Sequence, residues 1–219
     1  MQLNKHSHAS RGGFSLLELV IATALLSLVL GAVGLVQMRT RDASRVGLAQ
    51  EQAESLCRRT LNRVADELGG VGHSLLFPDP STNLGVSTLT YQHPTGVSNL
   101  GVVSWDTQTS LSLQMAQGET NNGIDDNGDG LIDERRLVLT RGVGTAHPIA
   151  TVLCSGIPEL ATGETANGLD DNGNGVVDEA GFNIRKVGDL LTIRLTVQVP
   201  YGQGQVATSS LQTSVVLHN

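Results

Sequence analysis

The N-terminal part of the chain holds one long uncharged stretch. From Phe14 to Met38 the only ionisable side chain is Glu18, and residues 19–36 carry no charge. A helix rises about 1.5 Å per residue, and about 20 apolar residues cross the hydrocarbon core of a bilayer. The pattern therefore predicts a transmembrane helix over 14–36. A secretory signal peptide fits poorly, because its apolar region is usually about 7–15 residues and ends in a small-residue cleavage site.

Helical periodicity continues beyond this stretch, over residues 37–70. Spacings of three and four place one stripe on one helical face. Charged residues, among them Asp66 and Glu67, are expected on the remaining faces, and Gly69-Gly70 predicts the helix end. We expect one helix from Phe14 to about residue 68, whose second half is an amphipathic spine. The apolar or small residues of the stripe are Val46, Ala49, Ala53, Leu56, Cys57, Leu61, Val64 and Leu68.

The remaining residues, 71–219, are expected to form a head domain rich in β-structure. Turn-forming residues dominate up to residue 110, and apolar alternation then becomes clear, most of all over 191–199. That segment, a turn at 201–205 and the segment 206–217 predict a C-terminal antiparallel hairpin. A helix covering one apolar face of an antiparallel sheet is an α+β fold.

Length and charge narrow the classes of function. The 219 residues allow one soluble domain of roughly 150 residues beside the membrane helix. The net charge is −7, but nine of the 21 acids fall within residues 125–134 and 170–179, which leaves 12 acids against 14 basic residues elsewhere. Local acidity favours a cation site over a globally acidic surface. The absence of a basic stripe gives no support to nucleic-acid binding.

Those two stretches belong to two copies of one longer motif. Residues 119–134 recur 45 positions later as 164–179, with 11 of 16 residues identical. Oxygen-bearing side chains alternate in each copy and are followed by a Gly that permits a sharp bend. Calcium takes six to eight oxygen ligands at about 2.3–2.6 Å, so we expect two Ca²⁺ ions. The predicted ligands are Asp125, Asn127, Asp129, Leu131, Asp133 and Glu134 in the first copy, and Asp170, Asn172, Asn174, Val176, Asp178 and Glu179 in the second.

The motif resembles EF-hand and thrombospondin-type calcium loops in its first half only. An EF-hand would place a bidentate Glu at its twelfth position, where this chain has Arg136 and Gly181. Residues 135–140 also predict a strand instead of an exiting helix. We therefore predict calcium loops at β-connections. The alternative is a pair of Asx-rich turns without an ion, although their carboxylates would then repel one another.

A prepilin-like signal lies at the N-terminus. Lys5 and Arg11 in a polar leader, Gly13 before Phe14, and Glu18 inside the apolar run resemble the type III signal of type IV prepilins. The resemblance implies that a prepilin peptidase removes residues 1–13 by cutting between Gly13 and Phe14, and methylates the new amino group of Phe14. It also implies a pilin fold. Glu18 would set the filament register by pairing with the N-terminus of a neighbouring subunit, the alternative being that it marks the end of the membrane segment.

The end of the spine, residues 63–72, and the apolar C-terminal strand look most like PilW-type minor pilins. This resemblance implies a structural subunit that primes or caps a type IV pilus or a type II secretion pseudopilus, with other pilins as partners. It would be a single-pass protein of the bacterial inner membrane, with a cytoplasmic N-terminus and a periplasmic head. The alternative function is a calcium-dependent tip adhesin or DNA-capture subunit.

Neither an enzyme nor a small-molecule binder is expected, because the histidines are scattered and no Ser/His/Asp or Cys/His group is recognisable. Export of the head would permit a single disulfide between Cys57 and Cys154. The alternative is two separate buried thiols.

Overall fold

A computed structural model describes residues 15–72, 75–82, 84–202 and 204–217. The predicted cleavage and methylation sites, Gly13 and Phe14, lie outside the described residues. The chain divides between Arg45 and Val46 into two compact units.

The first element is helix α1, Leu16–Leu68. It begins after Ser15, whose Oγ accepts a hydrogen bond from the amide of Glu18 at 3.2 Å, as an N-cap residue does. It is long and apolar enough to cross a membrane by length and composition. In the first unit, the side chains of residues 16–45 are exposed, apart from the partly exposed position 34.

The last part of α1 belongs to the second unit, and it buries the predicted stripe. Ala49, Ala53, Cys57 and the apolar residues after them are buried, which confirms most of the stripe. The prediction is wrong for Val46, which is 41 % exposed. It is also wrong for Glu67, which was placed on a solvent face but is buried because a strand of the head supplies an arginine partner. The helix ends as predicted, and Gly69 donates its amide to the carbonyl of Ala65 at 2.9 Å.

The described residues after the helix form nine strands, and all the pairings between these strands are antiparallel. They form a four-stranded sheet in the order β1-β4-β5-β6, a three-stranded sheet in the order β7-β8-β9, and a β2-β3 ribbon. The strands are β1 (Thr88–Tyr91), β2 (Pro94–Val97), β3 (Val103–Trp105), β4 (Thr109–Met115), β5 (Arg135–Arg141), β6 (Ile149–Ile157), β7 (Phe182–Val187), β8 (Leu190–Gly202) and β9 (Gln205–Val216).

One hydrophobic core joins the end of α1 to the two larger sheets. Leu61 and Val64 of the helix share it with Leu137 of β5 and Ile193 of β8. The predicted C-terminal hairpin is confirmed, because β8 pairs with β9 from Leu190 opposite Val216 onwards. The α+β prediction is also confirmed, because the last part of the long N-terminal helix packs on antiparallel sheets in a pilin-like fold.

The sheets determine where the acidic copies lie. Residues 119–134 connect β4 to β5, and residues 164–179 connect β6 to β7. Both copies are therefore connections between strands, as predicted. Strand β7 was not predicted, because Phe182, Asn183 and Ile184 are buried one after another, which breaks the alternation of a half-buried strand.

Candidate cation-binding loops

Two aspartates fold the first acidic connection, residues 119–134, which we call loop 1. Asp125 accepts hydrogen bonds from the amides of Gly128 at 2.6 Å and Gly130 at 2.9 Å. Asp133 accepts from the amides of Asn122 at 2.9 Å and Gly123 at 2.7 Å. These predicted ligands thus hold the turn through backbone contacts.

The other alternating side chains of loop 1 accept hydrogen bonds from backbone amides only two residues further along the chain. Asn127 Oδ1 accepts from the amide of Asp129 at 2.9 Å, and Asp129 Oδ1 accepts from the amide of Leu131 at 3.0 Å. These are Asx turns. Leu131 itself has a buried side chain. Each of these aspartates and asparagines has a second oxygen or lone pair that a cation could still use.

Two buried glutamates flank Asn127. Glu119 Oε1 accepts from the Asn127 amide at 2.8 Å, and Glu134 Oε1 accepts from Asn127 Nδ2 at 2.9 Å. Glu119 is 7 % exposed and Glu134 only 1 % exposed, and the Oε2 atom of each is buried without a hydrogen-bond partner. Burial raises the pKa of Glu134, and the negative charges of Asp129 and Glu119 raise it further.

The second acidic connection, residues 164–179, which we call loop 2, has the same scaffold. Asp170 accepts from the amide of Gly175 at 2.7 Å, and Asp178 accepts from that of Gly168 at 2.9 Å. Asp133 and Asp178 both adopt left-handed backbone conformations, with φ of 51° and 46°. Hydrogen bonds from Thr165 and then Asn167 lower the pKa of Asp171. The sequence repeat is therefore also a structural repeat.

Loop 2 differs from loop 1 at its last residue, Glu179. Arg194 Nη1 lies 3.3 Å from Glu179 Oε2, and Asn172 Nδ2 donates to Glu179 Oε1 at 3.2 Å. Asn174 Nδ2 also donates to this carboxylate, and Asn174 Oδ1 accepts from the backbone amide of Val176 at 2.8 Å. All the predicted side chains of loop 2 are thus engaged within the protein.

Sequence reasoning missed one pair of residues in these loops. Glu164 is 8 % exposed and, like Glu119, has a buried Oε2 atom without a partner. The signal was present, because Glu119 and Glu164 are the identical first residues of the two copies. They were overlooked because the Asp-x-Asn pattern starts six residues later.

The donor set suits calcium in its chemistry, since carboxylates and amide oxygens are the ligands this ion takes. Over the described parts of the chain, however, no group of three or more His, Cys, Asp and Glu side chains is gathered as a metal centre. A cation bound at loop 1 would therefore have to draw carboxylates together that the backbone amides now hold apart.

The two cysteines are both free and buried, so the predicted disulfide is not formed. The Sγ atom of Cys57 donates to the carbonyl of Leu195 at 3.2 Å, and that of Cys154 lies 3.3 Å from the carbonyl of Ser155. Burial raises the pKa of Cys57 to about 11, with a smaller contribution from Cys154. The alternative of two buried thiols describes this structure.

Comparison with known proteins identifies one region. Residues 8–34 match the prokaryotic N-terminal methylation motif. No curated protein and no solved structure matches the chain. The matched motif and the apolar helix that it enters support a type IV pilin-like protein.

Proposed function

We propose that this chain is a minor pilin or pseudopilin, a structural subunit that primes or caps the assembly of a type IV pilus or type II secretion pseudopilus. The observation that carries the proposal is the methylation motif at 8–34, which includes the start of α1, where the large apolar side chains from Leu16 to Met38 are exposed. Exposed apolar surface costs about 25 cal/mol per Å² in water. A bilayer before assembly, and the helices of other pilins after it, would cover this surface.

Glu18 would fix the register between subunits. It lies in the first turn of α1, near the positive end of the helix dipole. A carboxylate in hydrocarbon costs roughly 2.5–3.5 kcal/mol on insertion scales, so it needs a partner in a filament core. The methylated amino group of Phe14 in a neighbouring subunit would supply the opposite charge.

The N-terminal signal also supports an orientation in the inner membrane. Lys5 and Arg11 precede the apolar segment, so the positive-inside rule puts the N-terminus in the cytoplasm and the head in the periplasm. A prepilin peptidase of the inner membrane would process the chain, and other pilins would bind its N-terminal helix.

We also propose that calcium stabilises the head through the acidic loops. The support is the unpartnered oxygen on each of three buried glutamates, Glu119, Glu134 and Glu164. A buried carboxylate oxygen without a partner is costly, and a cation would remove that cost. When bound, the ion would supply positive charge and cross-link the two ends of a loop.

Processing tests the filament assignment. Expression of the full chain with a prepilin peptidase should shorten it by residues 1–13 and add a methyl group to Phe14, as mass spectrometry would show. Gly13→Leu should leave the precursor intact, while Gly12→Leu should still be cut. Normal cleavage of Gly13→Leu would refute the assignment. Glu18→Gln should be processed normally but be missing from sheared filaments.

A further inference from the structure

The two acidic loops share a scaffold but not a charge. Loop 1 contains six acids, and loop 2 contains five, because Asn174 stands where loop 1 has Asp129. The consequence lies at the last glutamate of each loop. Asn174 can donate a hydrogen bond to Glu179, whereas an ionised Asp129 can only accept one and repels Glu134.

Loop 2 is neutralised from within the protein. Arg194 of β8 forms an ion pair with Glu179 at 3.3 Å and donates to the carbonyl of Asn174 at the same distance. A second guanidinium lies beside this loop, since a side chain at Gly175 would come within 2.7 Å of Arg185 Nη1. These arginines provide positive charge where a bound cation otherwise would. One carboxylate oxygen, on Glu164, remains unpartnered.

Loop 1 has no comparable partner. In residues 15–72, 75–82, 84–202 and 204–217, no Lys or Arg forms an ion pair with a loop 1 carboxylate. The adjacent Arg135 instead pairs with Glu159 at 2.8 Å. At the position equivalent to Gly175, the backbone of Gly130 faces the apolar ring of Pro200. Loop 1 therefore keeps two buried, unpartnered carboxylate oxygens, on Glu119 and Glu134.

We infer that the chain binds one Ca²⁺ ion, at loop 1 through Glu119, Glu134 and Asp129, and that Arg194 takes the place of a second ion at loop 2. This inference rests on the proposed calcium stabilisation and makes it specific. One divalent cation would balance the charge of the two buried carboxylates, and Asp129 would add a third ligand. Binding would have to draw these three acids together, because among the described residues no three such side chains form a metal centre. The remaining ligands of the six to eight that calcium takes would come from amide oxygens, backbone carbonyls and water.

Calcium titration of the full chain in detergent tests the inference. Isothermal calorimetry with CaCl2 should give one equivalent for the unmodified protein. Glu119→Gln with Glu134→Gln should abolish this binding, and the matched change Glu164→Gln with Glu179→Gln should leave it unchanged. Asp129→Asn is a milder variant at an exposed position, and it should weaken binding by roughly tenfold while preserving the fold.

A gain of binding provides the converse test. Asn174→Asp with Arg194→Met gives loop 2 six acids, as in loop 1, and removes the ion pair of Glu179, so it should raise the stoichiometry to two. The inference that only loop 1 binds calcium would be overturned if the unmodified protein bound two equivalents, or if only the loop 2 variants lost binding. Either result would still be consistent with the proposal that calcium stabilises the head. If the protein bound no calcium at all, both the single-ion inference and the proposed calcium stabilisation would be refuted. The filament assignment would be unaffected, because the processing of the Gly13 variant tests it separately.

Discussion

Arg141 of β5 donates from Nη2 to both carboxylate oxygens of Glu67 on α1, at 2.8 and 2.7 Å. The Glu67 side chain is 8 % exposed, whereas that of Arg141 is 51 % exposed. His93 lies 3.4 Å from the same carboxylate. An acid thus lies in the buried face of the helix, which is tolerated because Arg141 of the head and Arg63 of the helix, 3.8 Å away, supply positive charge.

Removing this arginine should destabilise the head. Arg141→Met leaves the buried carboxylate of Glu67 with weaker partners, so we expect the free energy of unfolding to fall by about 2 kcal/mol, since solvent screens part of the interaction. Arg58 offers a matched control, because it pairs with Glu54 at 2.7 Å on the exposed face. Arg58→Met should cost less than about 0.5 kcal/mol. Denaturation followed by circular dichroism would measure both, and equal effects would contradict the prediction.

Gly156 should be essential where the two larger sheets meet. It has a φ of +73°, and a Cβ atom there would lie 2.5 Å from the carbonyl oxygen of Gln198 in β8. Gly156→Ala should therefore cost about 3 kcal/mol or more, from backbone strain and steric overlap.

Gly144 is the control for this change, because it has a similar φ of +80° and no atom within 4 Å of the added Cβ. Gly144→Ala should cost only the strain of a left-handed backbone, about 1–2 kcal/mol. Thermal unfolding of the two variants gives the comparison. A Gly156→Ala protein as stable as Gly144→Ala would mean that β6 and β8 do not approach closely at this point.

Chelation should lower the melting temperature of the full chain in detergent. A hundredfold excess of calcium over its dissociation constant contributes about 2.7 kcal/mol, which corresponds to a shift of about 5–10 °C for a domain of this size. Calcium should restore the transition, and Glu119→Gln with Glu134→Gln should melt at one temperature with or without chelator. An unchanged melt of the unmodified protein would contradict calcium stabilisation.

The thiols should resist alkylation in the folded protein. With the pKa of Cys57 raised to about 11, only roughly one molecule in a thousand carries its reactive thiolate at about pH 8, and burial blocks access as well. The pKa of Cys154 is also raised, chiefly by burial. We expect iodoacetamide to label neither cysteine until denaturant is added, and then both. Non-reducing mass spectrometry of exported protein that showed a Cys57–Cys154 bridge would contradict this.

Several features followed from local sequence alone. The uncharged run after Glu18 is long enough for a membrane-spanning helix. The apolar stripe that ends at Leu68 has the spacing of a helix, and the apolar alternation over 191–199 has the period of a strand. Each is a short-range property, so each could be predicted. The repeat of 119–134 at 164–179 likewise needed only comparison of the chain with itself.

Tertiary structure decided which residues meet. Glu67 looked like a solvent-facing helix residue until β5 brought Arg141 against it, 74 residues away in sequence. Both acidic copies were predicted to bind calcium, and the sequence did not show that β8 places Arg194 beside Glu179, while the Oε2 atom of Glu134 has no such partner among the described residues. Ion pairing depends on which strands the sheet makes neighbours, and a local pattern carries no information about partners so distant along the chain.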